Sequence, residues 1–117
     1  MTCLGDLASD LNLHVQTHLS ENVAECDWVK QLEPDCANYT EVYKKCNLLG
    51  SKTILAHCVH LSDDEIQIIQ STGAGVSHCP NSNFSLKSGV CDVRRLKEAG
   101  VKVCICYYGD IKVELNG

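Results

Sequence analysis

Strand-like segments alternate with helix-like segments of about ten residues along the whole chain, and this alternation restricts the fold more than any other feature. Parallel strands joined by helices form βαβ units with right-handed crossovers. The predicted strands are Leu11–His18, Thr53–His57, Ala74–Cys79 and Val101–Cys106. A full (β/α)₈ barrel needs about 250 residues, and this chain has 117. We therefore predict an α/β fold over residues 1–117: a partial TIM-type (β/α)₈ barrel of about four βα units with a parallel sheet.

Helix signals fall between these strands. Apolar residues at helical spacing predict a helix from Asn22 to Leu32, and Thr40 is expected to cap a second helix that runs through Leu49. Ser62 and Glu65 form a capping box that opens a third helix, which Gly73 closes. A fourth helix is expected over residues 90–99.

Composition excludes several classes of partner. The net charge is -5 and there is no basic cluster, so nucleic acid is not expected to bind. No apolar run approaches the roughly 18 residues of a membrane span, and no export signal begins the chain. Nine cysteines are an odd number, which favours free thiols over a disulfide scaffold. We expect a soluble, cytoplasmic protein without a membrane partner.

Histidines stand at the ends of two successive predicted strands. His18 is followed three residues later by Glu21, and His57 ends the next strand. Barrel enzymes build their sites at the carboxyl ends of strands, and neighbouring strands lie about 5 Å apart. The two imidazoles are thus expected to converge on a site. The alternatives are structural histidines and a Glu21 that simply suits the dipole of the following helix; His14 and His60 are expected to be structural or solvent-facing.

The third strand ends in a polar turn, which runs from His78 through Cys79-Pro80 to Asn81, Ser82 and Asn83. A rigid turn with several polar side chains suits a substrate-contacting loop. The alternative is that the Asn and Ser side chains only cap turns.

Taken in order, these motifs resemble the guanine deaminases of the amidohydrolase superfamily. The matching stretches are His18-Leu19-Ser20-Glu21-Asn22, Asn38-Tyr39-Thr40, Ala56-His57 and Ser77-His78-Cys79-Pro80-Asn81-Ser82-Asn83 with Ser88-Gly89. The resemblance implies barrel strands five to eight of an enzyme that uses zinc to hydrolyse a purine base, guanine, to xanthine and ammonia. It implies that His18 and His57 are metal ligands, that Glu21 is the catalytic acid and base, and that the substrate-binding residues are His78, Asn81, Ser82 and Asn83.

The chain departs from that family pattern at the metal site. The family's His-x-His motif is absent, and Tyr108 stands where the family's Gly-x-Gly-Thr-Asp motif has its metal-binding aspartate. Asp110 could replace that aspartate, although an extended chain would place it about 6 to 7 Å further on. Three hypotheses remain open: a deaminase fragment that is inactive alone, a non-catalytic module that forms homo-oligomers through the half-barrel, and an enzyme whose metal site uses Asp110.

Overall fold

The computed structural model describes residues 1–107 and 110–112. Four parallel strands lie side by side in the order of the sequence: β1 (Val15–Leu19), β2 (Thr53–His57), β3 (Gly75–His78) and β4 (Lys102–Tyr107). A fifth strand, β5 (Asp110–Lys112), pairs with β4 in the antiparallel direction. The helices between and beside them are α1 (Thr2–Asp10), α2 (Val23–Leu32), α3 (Tyr39–Lys45), α4 (Asp63–Thr72), α5 (Pro80–Ser85) and α6 (Val93–Glu98). The predicted α/β class, with helices alternating along a parallel sheet, is confirmed.

The core lies on the helix-covered face of the sheet. Leu19, Leu55 and Val76 are essentially inaccessible to solvent and pack in one cluster with Ile69 of α4 and Leu96 of α6. Burial of each such side chain contributes about 1.5–3 kcal/mol. On the opposite face of β1, Gln16 and His18 are exposed. This opposite face, which a closed barrel would enclose, is exposed at β1, whereas Ala56 of β2 and Ser77 of β3 on the same face are buried.

Side-chain oxygens cap the N-termini of several helices, and one of these caps is not the predicted residue. The Ser62–Glu65 capping box of α4 is confirmed, as is its end at Gly73, which has a left-handed φ of 74°. The cap of α3 is Asn38, whose Oδ1 accepts from the Glu41 amide at 2.9 Å. The prediction that Thr40 caps this helix was wrong because Asn38 already supplies the oxygen, and Thr40 lies buried inside the first turn.

A helix near the start of the chain, α1 (Thr2–Asp10), was not predicted from the sequence. Among the residues of α1, Gly5 alone is buried, and the apolar side chains of Leu4 and Leu7 are exposed. A Cβ atom at position 5 would lie 1.8 Å from the carbonyl oxygen of Cys46, and glycine therefore allows α1 to pack closely against the end of α3. The first strand correspondingly starts at Val15 instead of Leu11.

Two further elements differ from the sequence-based expectation. The segment after His78 is a short helix, α5, with Pro80 in its first turn, where the fixed φ of proline suits a helix. The strand β5 was not predicted; it runs antiparallel to β4, with Asp110 as the register partner of Tyr107. Tyr108 and the side chain of Asp110 lie outside the described part of the structure. The role of Asp110 as a metal ligand therefore stays a prediction.

All nine cysteines are free thiols. Burial raises the pKa of Cys91 to about 11 and raises that of Cys58 as well. Both side chains therefore behave as small apolar residues of the core at neutral pH. Within the described ranges, no helix is both long and apolar enough to cross a membrane.

Candidate active site

The two predicted histidines meet at the carboxyl edge of the sheet. His18 lies one residue before the end of β1 and His57 is the last residue of β2, with Leu19 as its register partner. Their rings stack with centroids 5.1 Å apart and planes inclined by 22°. The prediction that these side chains converge is confirmed by this contact.

An unusual backbone conformation sets the direction of the His57 side chain. Strict alternation along β2 would put it on the same face as Leu55, in the core. Instead His57 and Cys58 have left-handed φ angles of 74° and 50°, which non-glycine residues seldom adopt. The left-handed turn ends the strand and places the ring beside His18. Strain of this kind concentrates at functional sites.

Glu21 joins the pair of histidines. Its Oε1 lies 3.6 Å from His57 Nδ1 and accepts from Ser88 Oγ at 3.4 Å. Its backbone amide donates to Glu25 Oε2 at 3.0 Å, while Asn22 Oδ1 caps α2 through the Glu25 amide. Glu25 thus fixes the backbone of Glu21, which precedes the N-cap, and the acidic residue in the first turn of α2 is Glu25 and not Glu21.

Asn83 forms a hydrogen bond with His57. Its Oδ1 lies 2.7 Å from His57 Nδ1, and the two residues are 1% and 4% exposed. The other amide atom, Nδ2, is buried without a hydrogen-bond partner among the described residues. The predicted contact of Asn83 with a substrate stays a prediction.

The other predicted substrate residues occupy the start of α5 and the end of β3. Burial, and to a lesser extent neighbouring His57, lowers the pKa of His78, so its imidazole is neutral at pH 7. Its Nδ1 is buried and has no partner within the described part of the chain. Asn81 is exposed and Ser82 half-buried, and their binding of a substrate stays a prediction.

Two supporting contacts of the site, made by Tyr43 and Ser88, were not predicted from the sequence. The Tyr43 hydroxyl lies 2.8 Å from Thr17 Oγ1 and donates to the carbonyl oxygen of His18 at 3.2 Å. Ser88 contacts Glu21 across 67 positions of sequence, a distance that no local pattern reveals. His60 contacts the Ser88 carbonyl oxygen at 2.8 Å and His14 is exposed, as expected for residues outside the site.

The described residues do not by themselves fit a catalytic zinc ion. Such sites use three protein ligands and an open position. His18 and His57 supply two imidazoles, and residues 1–107 and 110–112 contain no group of three His, Cys, Asp or Glu side chains able to hold a metal. The cluster can hold and transfer protons, but a metal would need ligands from elsewhere.

A sequence model of the amidohydrolase family matches residues 1–109. The chain belongs to the amidohydrolase family. Among the curated members, the guanine deaminase of Dictyostelium discoideum is 52% identical over 103 residues, which are 88% of this chain and 23% of that protein. The chain therefore spans about a quarter of the length of the relatives it matches.

Solved amidohydrolase structures share the fold. The guanine deaminase of C. acetobutylicum, solved with guanine in its active site, superimposes with a TM-score of 0.87 at 42% identity, covering 89% of this chain and 25% of that one. An adenosine deaminase of Xanthomonas campestris with bound zinc gives a TM-score of 0.82 at 27% identity, over 89% and 23% of the two chains. Zinc is typical of this family, and the four-strand sheet corresponds to part of its TIM-type barrel.

Proposed function

We propose that the chain is the proton-transfer portion of a guanine deaminase-like aminohydrolase, corresponding to barrel strands five to eight, and that it does not deaminate guanine by itself. The observation that carries this proposal is the cluster at the sheet edge, where a Glu21 oxygen lies 3.6 Å from His57 and the His57 ring stacks on His18. Similarity to guanine deaminases over most of the chain supports guanine as the substrate.

Hydrolytic deamination needs a group that moves protons between water, the purine ring and the departing amine. A positioned carboxylate performs such transfers, typically with a gain of 10²–10⁴-fold. Glu21 suits this role because its backbone is fixed by Glu25 and its side chain is only 17% exposed. His78, kept neutral by burial, can donate or accept a hydrogen bond at the ring without bringing a charge. Asn81 and Ser82, which lie in the first turn of α5 just after β3, are proposed to contact the substrate as well.

Zinc is proposed as the cofactor of the complete enzyme, not of the isolated chain. His18 and His57 are the proposed ligands on this segment. With two imidazoles in place of three or more protein ligands, we expect this chain alone to bind zinc poorly. No proton transfer proposed for Glu21 depends on where that metal lies.

A chimera tests the proposed function. Residues 1–106, which end before Tyr108, would replace the matching segment of the Dictyostelium discoideum guanine deaminase, so that the host supplies the remaining strands. We expect guanine turnover and bound zinc in the chimera, and loss of both when His18→Ala is introduced. A folded, zinc-loaded chimera without turnover would contradict the proposal.

The alternative of assembly through the half-barrel stays a prediction. The exposed face of β1, which carries Gln16 and His18, is compatible with it, but this exposure alone does not select a partner.

A further inference from the structure

We propose that Asn83 is a positioning residue: in the neutral form of His57 it holds the ring proton on Nδ1 and so leaves the Nε2 lone pair free for chemistry. The catalytic consequence rests on the proposed function, whereas the proton's position is a property of the chain itself. The contact that carries the inference joins Asn83 Oδ1 and His57 Nδ1 at 2.7 Å.

The environment of Nδ1 shows why the proton belongs there. Two oxygens face this nitrogen, Asn83 Oδ1 at 2.7 Å and Glu21 Oε1 at 3.6 Å. Both are acceptors, and a carboxylate beside an imidazole lone pair would be repulsive. With the proton on Nδ1, the ring donates to Asn83 and its N–H dipole points its positive end toward Glu21. The hydrogen bond made by one ring nitrogen sets the state of the other.

The orientation of the Asn83 carboxamide follows from the same argument. If the amide were turned over, Nδ2 would donate to Nδ1 and the proton would move to Nε2. That arrangement would bring the His57 lone pair to face Glu21 Oε1, which is the unfavourable pairing. The carboxylate therefore selects both the amide orientation and the tautomer.

Asn83 is itself rigidly held. Its backbone amide donates to the Cys79 carbonyl oxygen at 3.0 Å, and its own carbonyl oxygen accepts from the Ser88 amide at 2.9 Å. With the side chain 1% exposed, water does not compete for Oδ1. The short helix α5 thus delivers a fixed acceptor to a histidine from a different βα unit.

Long-range ¹H–¹⁵N spectra of the full chain, labelled with ¹⁵N at histidine, show which ring nitrogen of His57 carries the proton. They should be recorded near pH 8, which is about 1.5 units above the usual histidine pKa. We expect His57 to show its proton on Nδ1. Asn83→Asp keeps an acceptor and should keep the proton on Nδ1. Asn83→Leu, similar in size but without an acceptor, should shift the population toward the Nε2 proton. Ser85→Leu, at an exposed position of the same helix, is the matched control and should leave the tautomer unchanged.

A wild-type spectrum with the proton on Nε2 would overturn the proposal even if the leucine variant fails to fold. So would a folded Asn83→Leu variant with an unchanged Nδ1 proton. These results are independent of turnover: an inactive chimera together with the expected spectrum would refute the proposed function and leave the role of Asn83 intact.

Discussion

Glu21→Gln in the Dictyostelium chimera should lower the rate of guanine deamination by about 10²–10⁴-fold. Glutamine keeps the size of the side chain and can still accept from Ser88 Oγ, which lies 3.4 Å from Glu21 Oε1. It cannot take up and release a proton, so the loss isolates acid and base catalysis. The effect should appear in kcat, measured by the conversion of guanine to xanthine.

The matched control for Glu21 is Glu98→Gln, which removes an exposed carboxylate of α6 that pairs only with Arg94 among the described groups. It should leave turnover unchanged. Measuring the zinc content of each variant distinguishes loss of the proton-transferring group from loss of the metal. A Glu21→Gln chimera that retains its zinc and most of its kcat would exclude Glu21 as the catalytic acid and base.

Glu65→Ala should destabilise the fold more than any exposed substitution, by about 3 kcal/mol, because it leaves buried donors without an acceptor. Glu65 is 5% exposed, and one oxygen accepts from the amide and the hydroxyl of Thr40 at 3.2 and 3.0 Å. The other oxygen accepts from the Ser62 amide at 2.9 Å. One carboxylate thereby joins the start of α3 to the start of α4.

The loss should be visible in urea unfolding followed by circular dichroism, and locally as faster hydrogen exchange at the Thr40 amide. Glu98→Ala, which removes an exposed glutamate, is the comparison and should change stability by less than about 0.5 kcal/mol. Equal midpoints for the two variants would show that the link between α3 and α4 is not a source of stability.

Local patterns were sufficient for the alternating architecture and for part of the site. The strand Thr53–His57 and the Ser62–Glu65 capping box were predicted from adjacent residues and are confirmed. His18 and His57 were expected to meet because parallel strands bring their ends to one edge, and their rings are in contact.

The remainder depends on geometry that no local pattern records. The contact of Asn83 with His57 requires the left-handed turn at His57 and the helix after Pro80, neither of which the sequence analysis anticipated. Ser88 reaches Glu21 only through the tertiary fold. The packing of α1 escaped prediction because the helix buries only Gly5, and the close approach of Gly5 to Cys46 is a tertiary contact that no local pattern records.

The most direct test of the central claim is zinc content and guanine turnover measured together on the purified chain, with the Dictyostelium discoideum enzyme as the active reference and His57→Ala as the control. The account predicts less than stoichiometric zinc and no turnover, because the described residues contain no set of three metal ligands. One tightly bound zinc per chain that His57→Ala removes, accompanied by deamination, would contradict it.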